Sequence, residues 1–179
     1  MTYFDVVLLG LALSMDAFAV SICQGLGLNK IKFRYMLKAG LFYGLFQGLM
    51  PLIGYFLGTS FYQYIASIDH FLSFGLLLLI GGNMLREEEY EQKDMKLKSM
   101  FLYAIATSID ALAVGVTFSF SKISIYISAV IIASITFVIS GLGIKLGSIV
   151  GSKYNRVASK VGGVVLILIG IKILIEHLL

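Results

Sequence analysis

Six apolar runs, each long enough to cross a bilayer, govern how this chain can fold. A helix needs about 20 residues to span the hydrocarbon core, whereas a barrel strand needs only about 9–11. The runs are too long for strands and show no period-two alternation. We therefore predict an all-α integral membrane protein with six transmembrane helices. The predicted helices cover residues 3–27, 37–60, 68–86, 99–120, 124–149 and 161–178.

The composition excludes an ordinary soluble protein. Of the 179 residues, 59% are apolar and only 13% are charged, about half the charged share of a soluble domain. The net charge of +4 does not indicate nucleic-acid binding, because all basic residues except Lys122, Lys145 and Lys172 fall in three short loops. The single cysteine, Cys23, excludes a disulfide within the chain.

The basic loops predict the orientation in the membrane. Eleven of the 14 Lys and Arg residues fall after the first, third and fifth runs. Loops rich in Lys and Arg stay in the cytoplasm, so we expect both termini outside. The eleven residues are Lys30, Lys32, Arg34, Lys38, Arg86, Lys93, Lys96, Lys98, Lys153, Arg156 and Lys160.

A seven-residue motif around an aspartate occurs once in each half of the chain. Ser-Met-Asp-Ala-Phe-Ala-Val at 14–20 returns as Ser-Ile-Asp-Ala-Leu-Ala-Val at 108–114, which separates Asp16 from Asp110 by 94 residues (110 − 16). With the predicted topology, the two helices run in opposite directions. We therefore predict two inverted three-helix repeats, covering 1–90 and 91–179.

The paired aspartates are the strongest candidates for a functional site. An ionised side chain at the bilayer centre costs about 2.5–3.5 kcal/mol even on lenient scales, so such residues are usually functional. We expect Asp16 and Asp110 to face each other across a pseudo-two-fold axis and to hold a cation near the membrane midplane. Oxygen ligands suit Mg²⁺, Ca²⁺ or Mn²⁺, whereas Zn²⁺ or Cu⁺ would call for Cys and His. Protons could occupy the carboxylates when the ion leaves, which makes proton exchange a hypothesis.

Other polar residues near the motifs are weaker candidates. Gln47 lies one turn before Pro51, which cannot donate a backbone hydrogen bond to the Gln47 carbonyl. Gln47 and Asn83 could contribute oxygen to the cation or could bond a neighbouring helix. Hydroxyls beside the aspartates could be ligands if their helices unwind, or could bond their own backbone. Glu87 is a candidate on the ion pathway, at the start of a charged linker. The hydroxyl candidates are Ser14, Ser108 and Thr107.

The motifs at 14–21 and 107–115, with Pro-Leu-Ile-Gly-Tyr at 51–55, resemble the bacterial manganese efflux pump family of the MntP type. The likeness spans the whole chain, including Gly-Gly-Asn-Met at 81–84 and Gly-Gly at 162–163. It implies Mn²⁺ export across the bacterial cytoplasmic membrane through a six-helix inverted repeat. Asp16 and Asp110 would be essential for transport. Some family members carry a glutamate at the position of Gln47, so this chain would lack a third intramembrane charge.

Three other functions fit parts of the pattern. The chain could be a passive divalent-cation channel or an exporter of another small solute. An intramembrane aspartyl protease would also use two aspartates, but its Gly-x-Gly-Asp context is missing, so no catalytic residue is assigned. Because no nucleotide-binding motif is present, we expect no cofactor and no ATP-driven step. The expected partners are the divalent cation, protons and lipid, and the sequence does not indicate an oligomeric state.

Overall fold

The computed structural model describes residues 2–28, 32–58, 97–121 and 123–178, with the isolated positions Phe74, Gly75, Leu78, Gly82 and Leu85. Between 151 and 178 it describes the backbone and only a few side chains. Every element in these residues is a helix. The helices are α1 (Tyr3–Leu26), α2 (Phe33–Leu57), α3 (Leu97–Ala106), α4 (Ile109–Phe118) and α5 (Ile125–Leu178).

Three of these helices are long and apolar enough to cross a membrane. They are α1, α2 and the Ile125–Val150 part of α5, and the bent pair α3 and α4 makes a fourth if it is counted as one span. The prediction of an all-helical membrane protein is confirmed at this level. The predicted helix 68–86 lies largely outside the described residues, and its five described positions are helical.

The start of α1 is fixed by a reciprocal cap. The Thr2 amide donates to Asp5 Oδ2 at 2.6 Å, and the Asp5 amide donates to Thr2 Oγ1 at 3.4 Å. This capping box satisfies amides that have no partner inside the helix. It explains why a charged residue lies at the start of an apolar span.

The span predicted over 99–120 consists of two helices joined by a break. The helix breaks at Thr107 and Ser108, and α3 and α4 meet at a 42° bend. The Ser108 amide bonds to Ile105 O, three residues back, and the Thr107 hydroxyl donates to Tyr103 O. Side-chain hydroxyls that compete for helical carbonyls bend helices. The break falls two residues before Asp110.

The predicted loop between helices 124–149 and 161–178 is also not found. α5 runs without interruption for 54 residues, about 81 Å at 1.5 Å per residue. The basic residues at 153, 156 and 160 suggested a loop, but Lys and Arg are good helix formers and no proline ends the helix. A continuous helix of this length is more than twice as long as the ~30 Å hydrocarbon core.

α2 lies between two helices and uses glycine to contact both. Gly40, Gly44 and Gly48 form a ridge against Phe137, Ala133 and Ala129 of α5. Glycines at four-residue spacing in a membrane helix are typical of such a packing face. On another face of α2, an added Cβ at Gly54 would collide with Leu112 O of α4, and one at Gly115 would collide with Pro51 O. Small residues of this kind let membrane helices approach closely.

The contacts also give the relative directions of the helices. Along the glycine ridge, rising numbers in α2 meet falling numbers in α5, so these helices are antiparallel. α1 and the α3–α4 pair are antiparallel as well. The later part of α1 shares an apolar cluster with α3, and its earlier part shares another with α4.

One face of α2 is apolar and exposed along its length. Its exposed residues recur every three or four positions, which is one stripe of a helix. An exposed apolar stripe is what the lipid-facing side of a membrane helix requires. The stripe comprises Leu37, Leu41, Leu45, Leu49, Ile53 and Phe56.

A matched pair of glycines in α5 tests this packing. A Cβ at Gly147 would collide with Ile22 O of α1, whereas one at Gly141 would lie 3.6 Å from Met36 O, an ordinary contact. We expect Gly147→Ala to destabilise the protein by about 1–3 kcal/mol, the usual cost of overpacking. Gly141→Ala should be neutral or slightly stabilising. Unfolding in detergent, followed by circular dichroism, measures both, and equal stability of the two variants would contradict the interface.

Candidate functional site

A buried polar layer separates two apolar clusters in the middle of the protein. The first cluster includes Ala17, Tyr43, Ala104 and Ile144. The second includes Leu13, Ala111 and Ile132, with Met50 packed against it. In each of the four spans, buried polar residues occur between a member of one cluster and a member of the other. They are Ser14 on α1, Gln47 on α2, Thr107 and Ser108 at the break, and Thr136 and Ser140 on α5.

Both predicted aspartates lie at the level of this layer. Asp16 falls between Leu13 and Ala17 along α1, and Asp110 falls between Ala104 and Ala111 along the broken span. Asp16 is exposed and Asp110 is partly buried. Neither carboxylate is without an interaction.

Gln47 connects α2 to α1 by a hydrogen bond inside the layer. Its side chain is 1% exposed, and Nε2 donates to Leu13 O at 3.0 Å. This is the interhelical hydrogen bond that the sequence allowed as an alternative to a cation ligand. The bond places the Gln47 amide within one turn of the Asp16 position.

Asp110 lies in the first turn of α4 as a result of the helix break. Its Oδ1 accepts a hydrogen bond from the Ala111 amide at 2.8 Å. The N-terminus of a helix carries a partial positive charge that stabilises a carboxylate within the first turn. The break therefore gives Asp110 electrostatic support that an unbroken helix would not provide. α1 has no such break, so Asp16 lies in the middle of a continuous helix.

The hydroxyl candidates bond to their own helices. Ser14 Oγ donates to Leu11 O at 2.7 Å, Ser108 Oγ to Ile105 O at 3.0 Å, and Thr107 Oγ1 to Tyr103 O at 2.9 Å. Each oxygen keeps lone pairs that could accept a bond or a cation. A direct ligand role for these three residues remains a prediction.

The remaining candidates, Asn83 and Glu87, lie outside the described residues. Within the part of the chain that the structure describes, no group of three or more His, Cys, Asp or Glu side chains could hold a metal ion. Cys23 is a free, buried thiol. The oxygen atoms of the layer are therefore the donors that the described helices offer to a cation.

Sequence reasoning missed three buried hydroxyls in or near this layer. Ser21, Thr136 and Ser140 are fully buried, and within the described residues their side-chain oxygens have no hydrogen-bond partner. An unpartnered buried polar group costs about 1–3 kcal/mol. Ser140 could have been found from the repeat, because it lies 93 residues after Gln47 (140 − 47), the same offset as between Gly54 and Gly147 (147 − 54).

Membrane-length helices around a buried polar layer, with one carboxylate from each half of the chain, define an integral membrane transporter. The sequence model of the family described as "Putative manganese efflux pump" (Mntp) matches residues 30–174. The chain belongs to this family. Its relatives are named as pumps, which are transporters and not enzymes.

Curated relatives resemble the chain along nearly its whole length. A protein of Mannheimia succiniciproducens is 49% identical, over 100% of this chain and 99% of its own length. One from Desulfitobacterium hafniense is 48% identical over 97% of this chain and 95% of its own length. One from Acetivibrio thermocellus is 47% identical over 99% and 93%. Each is named "Putative manganese efflux pump MntP". No solved structure matches the chain.

Replacing Gln47 with leucine tests the bond across the layer. Gln47→Leu keeps most of the side-chain volume but removes the donor to Leu13 O. We expect a loss of about 0.6–1.7 kcal/mol, the range measured for hydrogen bonds between membrane helices. Leu45→Ile, on the exposed face of the same helix, should leave stability unchanged. Unfolding in mixed micelles compares the stabilities of the two variants. If Gln47→Leu is as stable as the wild type, the hydrogen bond is not formed in solution.

Proposed function

We propose that this chain is a secondary transporter that exports Mn²⁺ from the cytoplasm across the cell membrane, in exchange for protons. Asp16 and Asp110 bind the ion together at the depth of the buried polar layer. The observation that carries the proposal is that both aspartates occur, along their helices, between members of the same two apolar clusters. Family membership and the names of the relatives support manganese as the ion.

The charges of the two aspartates suit an exchange of Mn²⁺ for protons. Two ionised aspartates balance one divalent cation, so the ion enters a site with no net excess charge. When the ion leaves, two protons can neutralise the carboxylates, which are otherwise costly in a membrane. Carboxylate, amide and hydroxyl oxygens match the preference of Mn²⁺ for hard ligands.

The two apolar clusters act as gates on either side of the layer. The cluster with Leu28, Tyr35 and Met100 lies next to the basic loops, so it closes the cytoplasmic side. The cluster with Val6 and Phe118 closes the outer side. Alternating access requires that the side chains of one cluster move apart while those of the other stay packed. The pathway is then never open to both sides of the membrane at once.

The first test replaces each carboxylate with its neutral amide. Asp16→Asn and Asp110→Asn should each abolish Mn²⁺ uptake into inside-out vesicles, because one remaining charge cannot balance a divalent ion. The matched control is Asp5→Asn, in the exposed capping box of α1, which should transport normally. In the wild type, an acidic vesicle lumen should accelerate uptake. Normal transport by Asp16→Asn or Asp110→Asn would refute the site. A wild-type Mn²⁺ flux that does not depend on the pH gradient would indicate a channel.

We also propose that the chain forms six transmembrane helices in two inverted repeats, 1–90 and 91–179, with both termini outside. The antiparallel directions of α1 and α3–α4, and of α2 and α5, support the inversion. α5 would then divide near Gly151 in the bilayer, because its 54 residues exceed a single crossing and positions 153, 156 and 160 are basic.

Cysteine labelling from outside intact cells tests this topology. In a Cys23→Ala background, Lys153→Cys should be protected from a membrane-impermeant maleimide, and His177→Cys should be labelled. If α5 stays continuous across one bilayer, both positions lie on the same side and behave alike. Equal labelling would therefore contradict the six-helix arrangement without affecting the assignment of the aspartates.

A further inference from the structure

The first two helices are joined mainly by two long side chains. α1 and α2 each pack extensively against α5, but few residues of α1 lie close to α2. Two hydrogen bonds cross between them: Gln47 Nε2 donates to Leu13 O at 3.0 Å, and the Tyr43 hydroxyl donates to Gln24 Oε1 at 2.9 Å. The boundary between α1 and α2 is therefore closed by side chains and not by a close approach of the two backbones.

The two hydrogen bonds lie on one face of each helix. On α1, Leu13 and Gln24 are 11 residues apart (24 − 13), which turns them only about 20° from each other at 100° per residue. On α2, Tyr43 and Gln47 are about one turn apart. Asp16 falls between the two bonded positions along α1. The Gln47 bond is at the level of the polar layer, and the Tyr43 bond is on its cytoplasmic side.

The Tyr43 bond belongs to the apolar cluster that closes the cytoplasmic side. Tyr43 is 1% exposed and packs in this cluster with Val20 and Cys23 of α1, and Tyr103 of α3 packs against it. Gln24 is partly buried. A buried hydroxyl that loses its partner costs free energy. The bond to Gln24 therefore stabilises the packed state of the cytoplasmic cluster.

The corresponding positions of the second half do not form such a bond. An offset of 93 residues pairs Tyr43 with Thr136, and an offset of 94 pairs Gln24 with Phe118 (136 − 43, 118 − 24). Phe118 is a fully buried member of the outer cluster and has no acceptor atom in its side chain. Within the described residues, the Thr136 hydroxyl has no hydrogen-bond partner. If the halves are inverted repeats, this hydrogen bond distinguishes the cytoplasmic gate from the outer gate.

We propose that Gln24 and Tyr43 are gating residues for entry of the ion from the cytoplasm, and that their hydrogen bond breaks before the ion reaches Asp16. This inference rests on the proposed function. Separation of α1 from α2 at this level disrupts little direct packing between the two helices, because both pack mainly against α5. The bond is made only while the cytoplasmic cluster is packed. It therefore lowers the population of the state that is open to the cytoplasm.

A native residue reports whether this gate is open. Cys23 is the single cysteine of the sequence, and it is a free thiol, 9% exposed, in the same cluster as Tyr43. It lies about two turns from Asp16 toward the cytoplasmic end of α1, and about 20° around the helix from it. A thiol reagent that reacts with Cys23 from the cytoplasmic side therefore shows that the cluster has opened.

The test is the rate at which a membrane-impermeant maleimide labels Cys23 of the full-length protein in inside-out vesicles. Tyr43→Phe removes the hydroxyl and keeps the ring, so labelling should be about 3-fold to 20-fold faster than in the wild type, the factor that a hydrogen bond between membrane helices provides. Tyr126→Phe makes the same change at an exposed tyrosine of α5 and should keep the wild-type rate. Gln24→Leu should also accelerate labelling, and Tyr43→Phe added to it should bring no further increase, because the two residues share one bond.

Transport kinetics give a readout that a purely structural role would not move in the same direction. Apparent affinity is reduced when only a fraction of the protein is in the state that binds the ligand. Tyr43→Phe raises the fraction that is open to the cytoplasm, so it should lower the KM for Mn²⁺ export by about the same factor by which it accelerates labelling. Tyr126→Phe should keep the wild-type KM.

Wild-type labelling rates in both Tyr43→Phe and Gln24→Leu, or an unchanged KM in Tyr43→Phe, would overturn the gating role. If the wild type exports Mn²⁺ and Asp16→Asn does not, that failure leaves the proposed function intact. Absence of export by the wild type would refute the function itself.

Discussion

The cost of placing charge and polarity inside a membrane shapes the whole structure. Ionised and unpartnered groups are expensive in an apolar interior, and six of the nine buried polar side chains in the described residues lie in one layer. Every described span contributes to that layer, from Ser14 and Gln47 to Thr136 and Ser140. Packed apolar clusters close it on both sides. The arrangement keeps the buried polar side chains away from lipid, and in the proposed transport cycle the two clusters open in turn.

The two copies of the aspartate motif are alike in sequence but differ in backbone. The second copy is broken, with Asp110 in the first turn of α4, and the first is a continuous helix through Asp16. The Thr107 and Ser108 hydroxyls compete for the carbonyls at the break, whereas the first copy has Leu13 and Ser14 at these places. With one hydroxyl fewer to compete for backbone carbonyls, the first copy favours the continuous helix that α1 forms. The two carboxylates therefore lie in different electrostatic surroundings.

Much of the fold could be predicted, because the length of an apolar run and the spacing of glycines are visible in a short stretch of sequence. The spans of α1 and α2 and the packing role of Gly40, Gly44 and Gly48 follow from these patterns. The break at Thr107 could not be predicted, because it depends on which hydroxyls bond to backbone carbonyls. Nor could the continuous backbone that the structure gives α5, which the proposed topology divides near Gly151, because Lys and Arg indicate the side of a membrane and not the end of a helix. The unpartnered Ser140 and Thr136 were missed because serine and threonine in helices usually bond to their own backbone.

The proposed function places one ion between two inverted halves of the chain, bound by both carboxylates. The direct measurement is a structure of the protein in lipid with Mn²⁺, in which anomalous scattering at the manganese edge locates the ion. A single peak within ligand distance of both Asp16 and Asp110, at the depth of Gln47, is the expected result. A peak elsewhere, or two carboxylates sealed from each other by packed side chains, would contradict a shared site.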